Sequence, residues 1–573
     1  MKMLWKYLKP IAGMMFAGLL IKAFGSVLEL LLPYILSKII DDIVPLKDVS
    51  QIVLWGGIMV LCSVAAWWCN IRANRNAAEV SRRATQRIRH DLFDKTLYLS
   101  CEKTDTFTIP SLETRLTSDT YNVHRMLGMM QRMGIKAPII VAGGLIITVF
   151  MDPFLSLVLL ATIPFIAVLV YLRATKGVPL FTKVQKMSDR MISVVRENVQ
   201  GIRVIKALSR VDYEKNRYER VNNALKDEEI HANRTMAIIS PGMNLFLNLG
   251  QAGVILAGAY RVAAGLSEPG RIIAFMSYFT IISRNMMAIS RMFIMYSRGI
   301  ASANRIDEVL QTETEKSWES GNYPDGDPQY AIEFRNVSFS YLKVRDNVRH
   351  ISFRLKPGES IGILGATGAG KSTIMSLLLR FYDVDEGAIY LNGTDVRNIR
   401  PSELRKKFGI VMQNDFLFAD TIGENIRFGR EVSDESMDDA IDSAQAFEFI
   451  DQLERKTEHD LTTNGTNVSG GQRQRILLSR AFAGRPSFLL LDDSSSALDY
   501  ATDAKLRKAI NEKYPDTTMM IIAQRVSSIK NCDQILILDN GDISDIGTDE
   551  ELMQRSSLYA SICESQMGGA LFE

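Results

Sequence analysis

The chain has 573 residues, enough for about three or four average domains. Its 67 basic and 65 acidic residues leave a net charge of +2, which gives no reason to expect nucleic-acid binding. Abundant Leu, Ile, Val and Phe exclude a disordered chain. The five cysteines (Cys62, Cys69, Cys101, Cys532, Cys563) lack the spacing of a disulfide framework or a structural zinc site. A mean hydropathy of +0.02 averages two unlike halves. Nearly uncharged runs crowd the first 300 residues, and the rest reads as a soluble α/β domain.

A helix needs about 20 apolar residues to cross a bilayer. Six segments qualify. They predict an all-α transmembrane domain over 1–310 with spans near 11–40, 52–71, 137–151, 154–172, 235–260 and 272–297. Ile52 to Ile71 and Thr235 to Tyr260 carry no charge, and Ala137 to Leu172 carries only Asp152. That last stretch is too long for one span, and Asp152-Pro153 supplies a turn, so two spans are expected there. Runs this long and this numerous argue against buried helices of a soluble protein. The first stretch also outruns the apolar region of a signal peptide.

Lysines and arginines flank one side of the spans: Lys2, Lys6 and Lys9, then Arg72, Arg75, Arg82 and Arg83, then Arg132, Lys136, Arg173 and Lys176. The opposite loops are short and poor in positive charge, so both termini are expected in the cytoplasm. The loops at about 73–136 and 173–234 are polar but rich in helix formers, and read as spans continuing into the cytoplasm as helices.

Ionisable residues inside spans are costly and usually face a partner or a cavity. Lys22 and Glu29 are seven apart and share a helix face, and Arg284, Arg291 and Arg298 repeat every seven residues on another helix. Lys22, Glu29 and Arg284 are candidate cavity-lining residues. The methionines of the sixth span are expected to pack. Polar residues with Gly and Pro over 311–330 mark a linker, which leaves 331–573 as a second domain.

In that domain Ser360 to Leu364 reads as a buried strand, followed by GATGAGKS and an apolar helix from Thr373. This is the phosphate-binding loop G-x-x-x-x-G-K-S in its strand–loop–helix context. Gly365, Ala366, Thr367, Gly368, Ala369 and Gly370 offer backbone N–H groups to a phosphate, and the helix after them points its positive end at the same anion. Lys371 is placed for the β- and γ-phosphates, and Ser372, with Thr373 beside it, for Mg²⁺. A second buried strand, Phe488 to Leu491, ends in Asp492-Asp493, where Asp492 is placed to hold Mg²⁺. Both motifs predict nucleotide binding in an α/β P-loop domain.

Val468 to Gln472 reads VSGGQ and opens a helix. Here the chain resembles the ATP-binding-cassette (ABC) transporters, whose signature is LSGGQ just upstream of the second phosphate motif. The resemblance spans essentially the whole chain and has the architecture of a six-span exporter half-transporter. It implies that Tyr341 stacks on adenine, that Gln413 senses Mg²⁺, and that Ser496 to Asp499 communicates between two ATP sites. GIRVIKAL (Gly201 to Leu208) and SANRIDEVL (Ser302 to Leu310) are similar to family segments. In the family, the helix start at Ser469, Gly470, Gly471 and Gln472 clamps ATP held by the opposite subunit. The resemblance therefore implies ATP and Mg²⁺ as cofactors, a second half-transporter as partner, a lipid bilayer, a small-molecule, lipid or peptide substrate, and no nucleic acid. A bacterial plasma membrane is the expected location.

Three positions depart from the family. Asp493 stands for the catalytic glutamate, Gln524 for a histidine that contacts the γ-phosphate, and Thr463 for a glutamate ahead of the signature. An aspartate carboxylate sits roughly 1–1.5 Å short of a glutamate's, and misplacement near 1 Å can cost about a hundredfold in rate. Two catalytic positions changed while the binding residues were kept. That favours the weakly hydrolysing subunit of a heterodimeric exporter. A slow homodimeric exporter, an importer on the exporter fold and a nucleotide-gated channel or regulator are the alternatives.

Overall fold

The computed structural model describes residues 2–315 and 321–568. Residues 316–320 of the expected linker and 569–573 of the expected second domain lie outside the described residues. The chain forms two compact units, one of Met1–Leu97 and Ile109–Thr312, the other of Tyr98–Thr108 and Glu313–Glu573.

The first unit is helical. Its long helices are α1 (Ala12–Lys38), α2 (Val49–Leu97), α3 (Lys136–Met151), α4 (Pro153–Gln200), α5 (Ile239–Ala263) and α6 (Pro269–Gln311). α2 has 49 residues and α4 has 48. At 1.5 Å per residue each is about 70 Å long, over twice the ~30 Å hydrocarbon core. The spans do continue as helices, and Thr120–Met133 and Val211–Ala237 lead into α3 and α5. Val53, Leu54, Leu61, Trp67 and Trp68 of α2 are exposed, as a lipid-facing surface requires.

The turn between α3 and α4 follows from two residues. Asp152 caps α4, its carboxylate accepting from the Phe154 and Leu155 N–H groups at 3.0 and 3.2 Å, and Pro153 takes the first helical position. Arg261 pairs with the same buried carboxylate at 3.2 Å.

α1 and α2 approach closely because small residues line their seam. A Cβ added at Gly25 would lie 2.9 Å from the Cys69 Cβ, and one at Gly18 2.7 Å from Asn76 Oδ1. Lys22 lies between these glycines and is buried. Its ammonium donates to Asn70 Oδ1 at 2.7 Å and to Asn74 Oδ1 at 3.0 Å. The Asn70 amide in turn donates to Glu29 at 2.9 Å, and Lys136 of α3 pairs with Glu29 at 2.8 Å. Three helices are thereby joined by one polar chain. Nearby, the Tyr278 hydroxyl of α6 donates to the Leu30 carbonyl at 2.6 Å inside a core with Ile140, Leu155, Phe275 and Phe279.

The second unit holds two sheets. Strands β1 (Ile332–Phe339), β2 (Val348–Leu355), β4 (Glu386–Leu391) and β5 (Thr394–Asp395) form an antiparallel sheet in the order β2-β1-β4-β5. Strands β3 (Ser360–Gly365), β6 (Phe408–Val411), β7 (Phe488–Asp492), β8 (Thr518–Ile522), β9 (Gln534–Asp539) and β10 (Asp542–Gly547) form the other, in the order β10-β9-β3-β8-β7-β6. All its pairings are parallel except β10 with β9. β7 is buried throughout, as its unbroken FLLL predicts for a sheet covered on both faces. The segment Tyr98–Thr108, expected within the membrane domain, packs with this unit. The Tyr382 hydroxyl donates to Asp105, and the Glu315 N–H donates to the Tyr98 carbonyl.

Asn70→Leu removes an acceptor from Lys22 and a donor from Glu29. We expect a loss of about 2–4 kcal/mol, the usual cost of leaving buried charge half satisfied. It would be read as a lower melting temperature in nanodiscs. An unchanged midpoint would mean that the polar chain does not support the α1–α2 seam.

Candidate nucleotide-binding site

In parallel α/β sheets, ligands gather outside the carboxyl ends of the strands. The phosphate loop leaves the end of β3 and runs into α7 (Lys371–Leu378). Gly370 caps α7 with φ of 100°, a left-handed conformation suited to glycine, and a Cβ there would lie 2.7 Å from the Asn347 carbonyl. At Gly365 a Cβ would lie 2.4 Å from the Leu538 carbonyl of β9. Both glycines are therefore required by close backbone approach.

The neighbouring strand ends complete the pocket. Asp492 ends β7 and Asp493 follows it, Ala523 and Gln524 follow β8, and Gln413 follows β6. With Thr367, Gly368, Gly370, Lys371, Ser372, Thr373 and Asn347 they line a hollow of about 230 Å³. The Ser372 hydroxyl donates to Asp492 Oδ2 at 2.6 Å. The Lys371 ammonium donates to the Gly365 and Ala366 carbonyls at 2.7 and 2.9 Å, so it lies along the loop. Burial pushes the Lys371 pKa below the usual lysine value, against the pull of Asp492 and Asp493. Burial also raises the carboxyls of Asp492 and Asp493 above the usual range, partly offset by hydroxyl hydrogen bonds from Ser372 and Ser496. A buried and a half-buried carboxylate, a hydroxyl and a cation thus share one pocket, where phosphate and a hard cation would each find opposite charge.

The two departures meet. The Gln524 amide donates to Asp493 Oδ2 at 3.2 Å, while the Asp493 N–H donates to the Ile522 carbonyl at 2.8 Å. Asp493 holds a left-handed backbone with φ of 50°. Thr463, the third departure, opens a single helical turn ahead of the signature.

Tyr341 stands half-exposed, edge-on to Phe339 and Tyr382 with ring centroids 4.9 Å apart in each case. Its hydroxyl lies 3.4 Å from Thr373 Oγ1. It lines a second hollow of about 550 Å³ that shares Asn347 and Gly368 with the phosphate pocket. Asn347, which also accepts from the Tyr341 N–H at 3.1 Å, carried no sequence signal.

The signature lies elsewhere. Ser469 caps α8 (Gly470–Phe482) in a capping box: its hydroxyl accepts from the Gln472 N–H at 3.3 Å, and Gln472 Oε1 accepts from the Ser469 N–H at 2.9 Å. Ser469 and Gly470 are exposed, and Gly471 faces the Ala497 carbonyl. Asp499 caps α9 (Tyr500–Lys513), accepting from the Thr502 N–H at 2.9 Å and its hydroxyl at 2.8 Å. Neither Ser469–Gln472 nor Asp499 lines the phosphate pocket. Within one chain, the structure brings the phosphate loop, Asp492, Asp493, Gln524 and Gln413 together and keeps the signature apart. A further missed residue is Gln566 of α10 (Ser557–Gly568). It accepts from the Val526 N–H at 2.8 Å and donates to the Gln524 carbonyl at 2.9 Å, so it holds the strand end that carries Gln524.

In the membrane unit, Glu29 and Arg284 line a hollow of about 510 Å³ with Lys136, Pro33, Met59 and Thr280. Lys22 does not line it. Its ammonium is instead held by Asn70 and Asn74 in the α1–α2 seam.

Sheet, phosphate loop and apolar helices define a P-loop nucleotide-binding domain fused to a membrane-spanning helical domain. Residues 15–286 match the ABC transporter transmembrane region, and residues 348–496 match the ABC transporter family. The chain is 36% identical over 566 residues to the uncharacterized ABC transporter ATP-binding protein YfiB of Bacillus subtilis, covering 98% of each chain. It is 30% identical over 577 residues to the uncharacterized ABC transporter ATP-binding protein Rv1273c of Mycobacterium tuberculosis, again covering 98% of each. A solved bacterial Atm1-family ABC exporter with ATP bound has the same fold, with a TM-score of 0.82 at 23% identity over 97% of this chain and 98% of that one. The chain belongs to the ABC transporter family, with a transmembrane region fused to an ATP-binding domain, and it has the fold of an ABC exporter half-transporter.

Lys371→Ala removes the cation of the phosphate pocket. ATP photolabelling of the purified chain should fall at least about tenfold, since charge-assisted phosphate contacts contribute about 1.5–3 kcal/mol. Labelling at the wild-type level would show that nucleotide binds elsewhere.

Proposed function

We propose that this chain is the weakly hydrolysing subunit of a heterodimeric ABC exporter that moves a solute across a bacterial plasma membrane. The observation that carries the reading is the hydrogen bond between Asp493 and Gln524 in an otherwise complete phosphate pocket. The shortened carboxylate is turned toward a neutral amide, and a neutral amide offers no positive charge to a γ-phosphate. Hydrolysis needs a carboxylate held against the attacking water, so this arrangement favours ATP retention over turnover. Ser372, Asp492 and Gln413 offer oxygen ligands to Mg²⁺, whose charge would offset that of the phosphates.

The signature supports the other half of the reading. Its N–H groups open α8 at an exposed helix start away from this chain's own phosphate pocket. On this reading it completes the site on the partner's phosphate loop, and the partner supplies a glutamate and a histidine there. The working division is a membrane domain over 1–310, a linker over 311–330 and the nucleotide-binding domain over 331–573, with both termini cytoplasmic.

Steady-state ATPase of the pair co-purified from its host tests the asymmetry. Asp493→Asn should lower turnover by less than about threefold, whereas Ser469→Arg should lower it more than about tenfold by blocking the clamp on the partner's ATP. Equal losses would mean that both sites are productive, which is the slow homodimer.

The topology has its own test. A cysteine placed at Lys47, in the exposed turn before α2, should react with a membrane-impermeant maleimide on intact cells. Reaction only after permeabilisation would reverse the orientation.

A further inference from the structure

The hollow between α1, α2, α3 and α6 carries a charge pattern that the fold does not use up. Glu29 is engaged twice, by Lys136 at 2.8 Å and by the Asn70 amide at 2.9 Å, and Asn70 in turn is held by Lys22. Arg284 is exposed to the hollow and, among the described residues, makes no hydrogen bond or ion pair. The network therefore holds two cations, Lys22 and Lys136, around one carboxylate, and Arg284 stands beside it with no carboxylate of its own among the described residues. A free guanidinium inside a span is costly unless it faces a cavity and finds an anion there.

The rest of the wall is largely apolar, with Ser277, Thr280 and Asn285 the polar exceptions. Leu32, Pro33, Leu36, Met59 and Ile281 surround the charged end. A volume of about 510 Å³ is that of a pocket for one drug-sized molecule, within the usual ~300–1,000 Å³. It is too small for a diacyl lipid with its headgroup. Depth agrees between two helices. Arg284 lies about 22 Å along α6 from Pro269, and Lys136 about 22 Å along α3 from Met151, at ~1.5 Å per residue. Both cations therefore lie at one level, in the half of a ~30 Å hydrocarbon layer away from the α3–α4 turn.

We propose that this hollow is a substrate site for a single-chain amphiphilic anion, with Arg284 binding its carboxylate, sulfonate or phosphate and the Pro33–Met59 wall taking its apolar body. Guanidinium is the better cation for the purpose, because its fork of donors matches an oxyanion bidentately and it is weakly hydrated. Glu29 sets the affinity by neutralising Lys136, which leaves Arg284 as the cation available to the ligand. The proposal rests on the exporter reading in one respect only, that the occupant is cargo.

The test uses the full-length chain in phosphatidylcholine nanodiscs, photolabelled with a diazirine-bearing dodecanoate. Labelled peptides should come from around Pro33, Met59 and Thr280. Dodecanoate should compete at least about tenfold better than dodecylamine or dodecanol. Arg284→Gln should abolish that preference and Arg284→Lys should keep most of it. Glu29→Gln, which frees Lys136, should strengthen dodecanoate competition severalfold. This opposite sign separates charge recognition from simple misfolding. Equal competition by the three probes, or an unchanged preference in R284Q, would overturn the proposal. ATP-driven movement of dodecanoate into inside-out vesicles is measured separately. Selective labelling without ATP-driven movement would uphold the anion site and remove the exporter reading, whereas movement with no charge preference would do the reverse.

Discussion

A phosphate can be held by backbone N–H groups only where no side chain intervenes, and the second unit is organised around that approach. Gly365 lies against the β9 backbone and Gly370 against the β1–β2 connection, so the loop has no room for Cβ atoms at either end. The loop is fixed by the strands that flank β3, and those strands bring Asp492, Gln413 and Gln524 to the same edge. The core beneath is apolar on both faces of the parallel sheet, so the ends of the strands are where charge can be placed at least cost. Lys371 opposes two carboxylates whose own pKa values are raised by burial, and an arriving triphosphate exchanges one set of charge contacts for another.

The membrane unit answers a different constraint. Every buried polar group there needs a protein partner, because lipid supplies none. Lys22 meets that need with two asparagines one turn apart on α2, and Glu29 with Lys136. The glycines that bracket Lys22 bring α2 close enough for those short bonds. Packing and charge pairing in this seam are therefore one design, in which small residues make the approach and the polar chain fixes its register.

Features carried by contiguous residues were legible in the sequence. The phosphate loop, the Asp152-Pro153 turn and the apolar runs each depend on neighbours in the chain, so spacing and residue type suffice. Features made by tertiary contact were not. Nothing in the sequence assigns Lys22 to Asn70, 48 residues away, so a cavity was as reasonable as a seam. Gln566 and Gln524 meet across 42 residues through a backbone carbonyl, which no residue pattern reports. Tyr98–Thr108 sits in a helical loop by composition, yet it packs with the second unit through Asp105 and a backbone bond.

The pairing of Asp493 with Gln524 gives the two substitutions a common physical logic. A histidine beside this half-buried carboxylate would be drawn toward its protonated form, carrying positive charge toward the phosphate. A neutral amide gives the carboxylate a hydrogen bond and no charge. With aspartate alone, the pocket would keep a cation and lose only reach. With glutamine alone, it would keep reach and lose charge. On the proposed reading the two together would lower the drive for hydrolysis twice, while Lys371 stays bonded to the loop carbonyls and Ser372 to Asp492. Binding and turnover would then be separable in this pocket, because different strand ends would supply them. On that reading the loop after β3 and the Asp492 end of β7 would hold the phosphates, and the residues just beyond β7 and β8 would set how fast the γ-phosphate leaves.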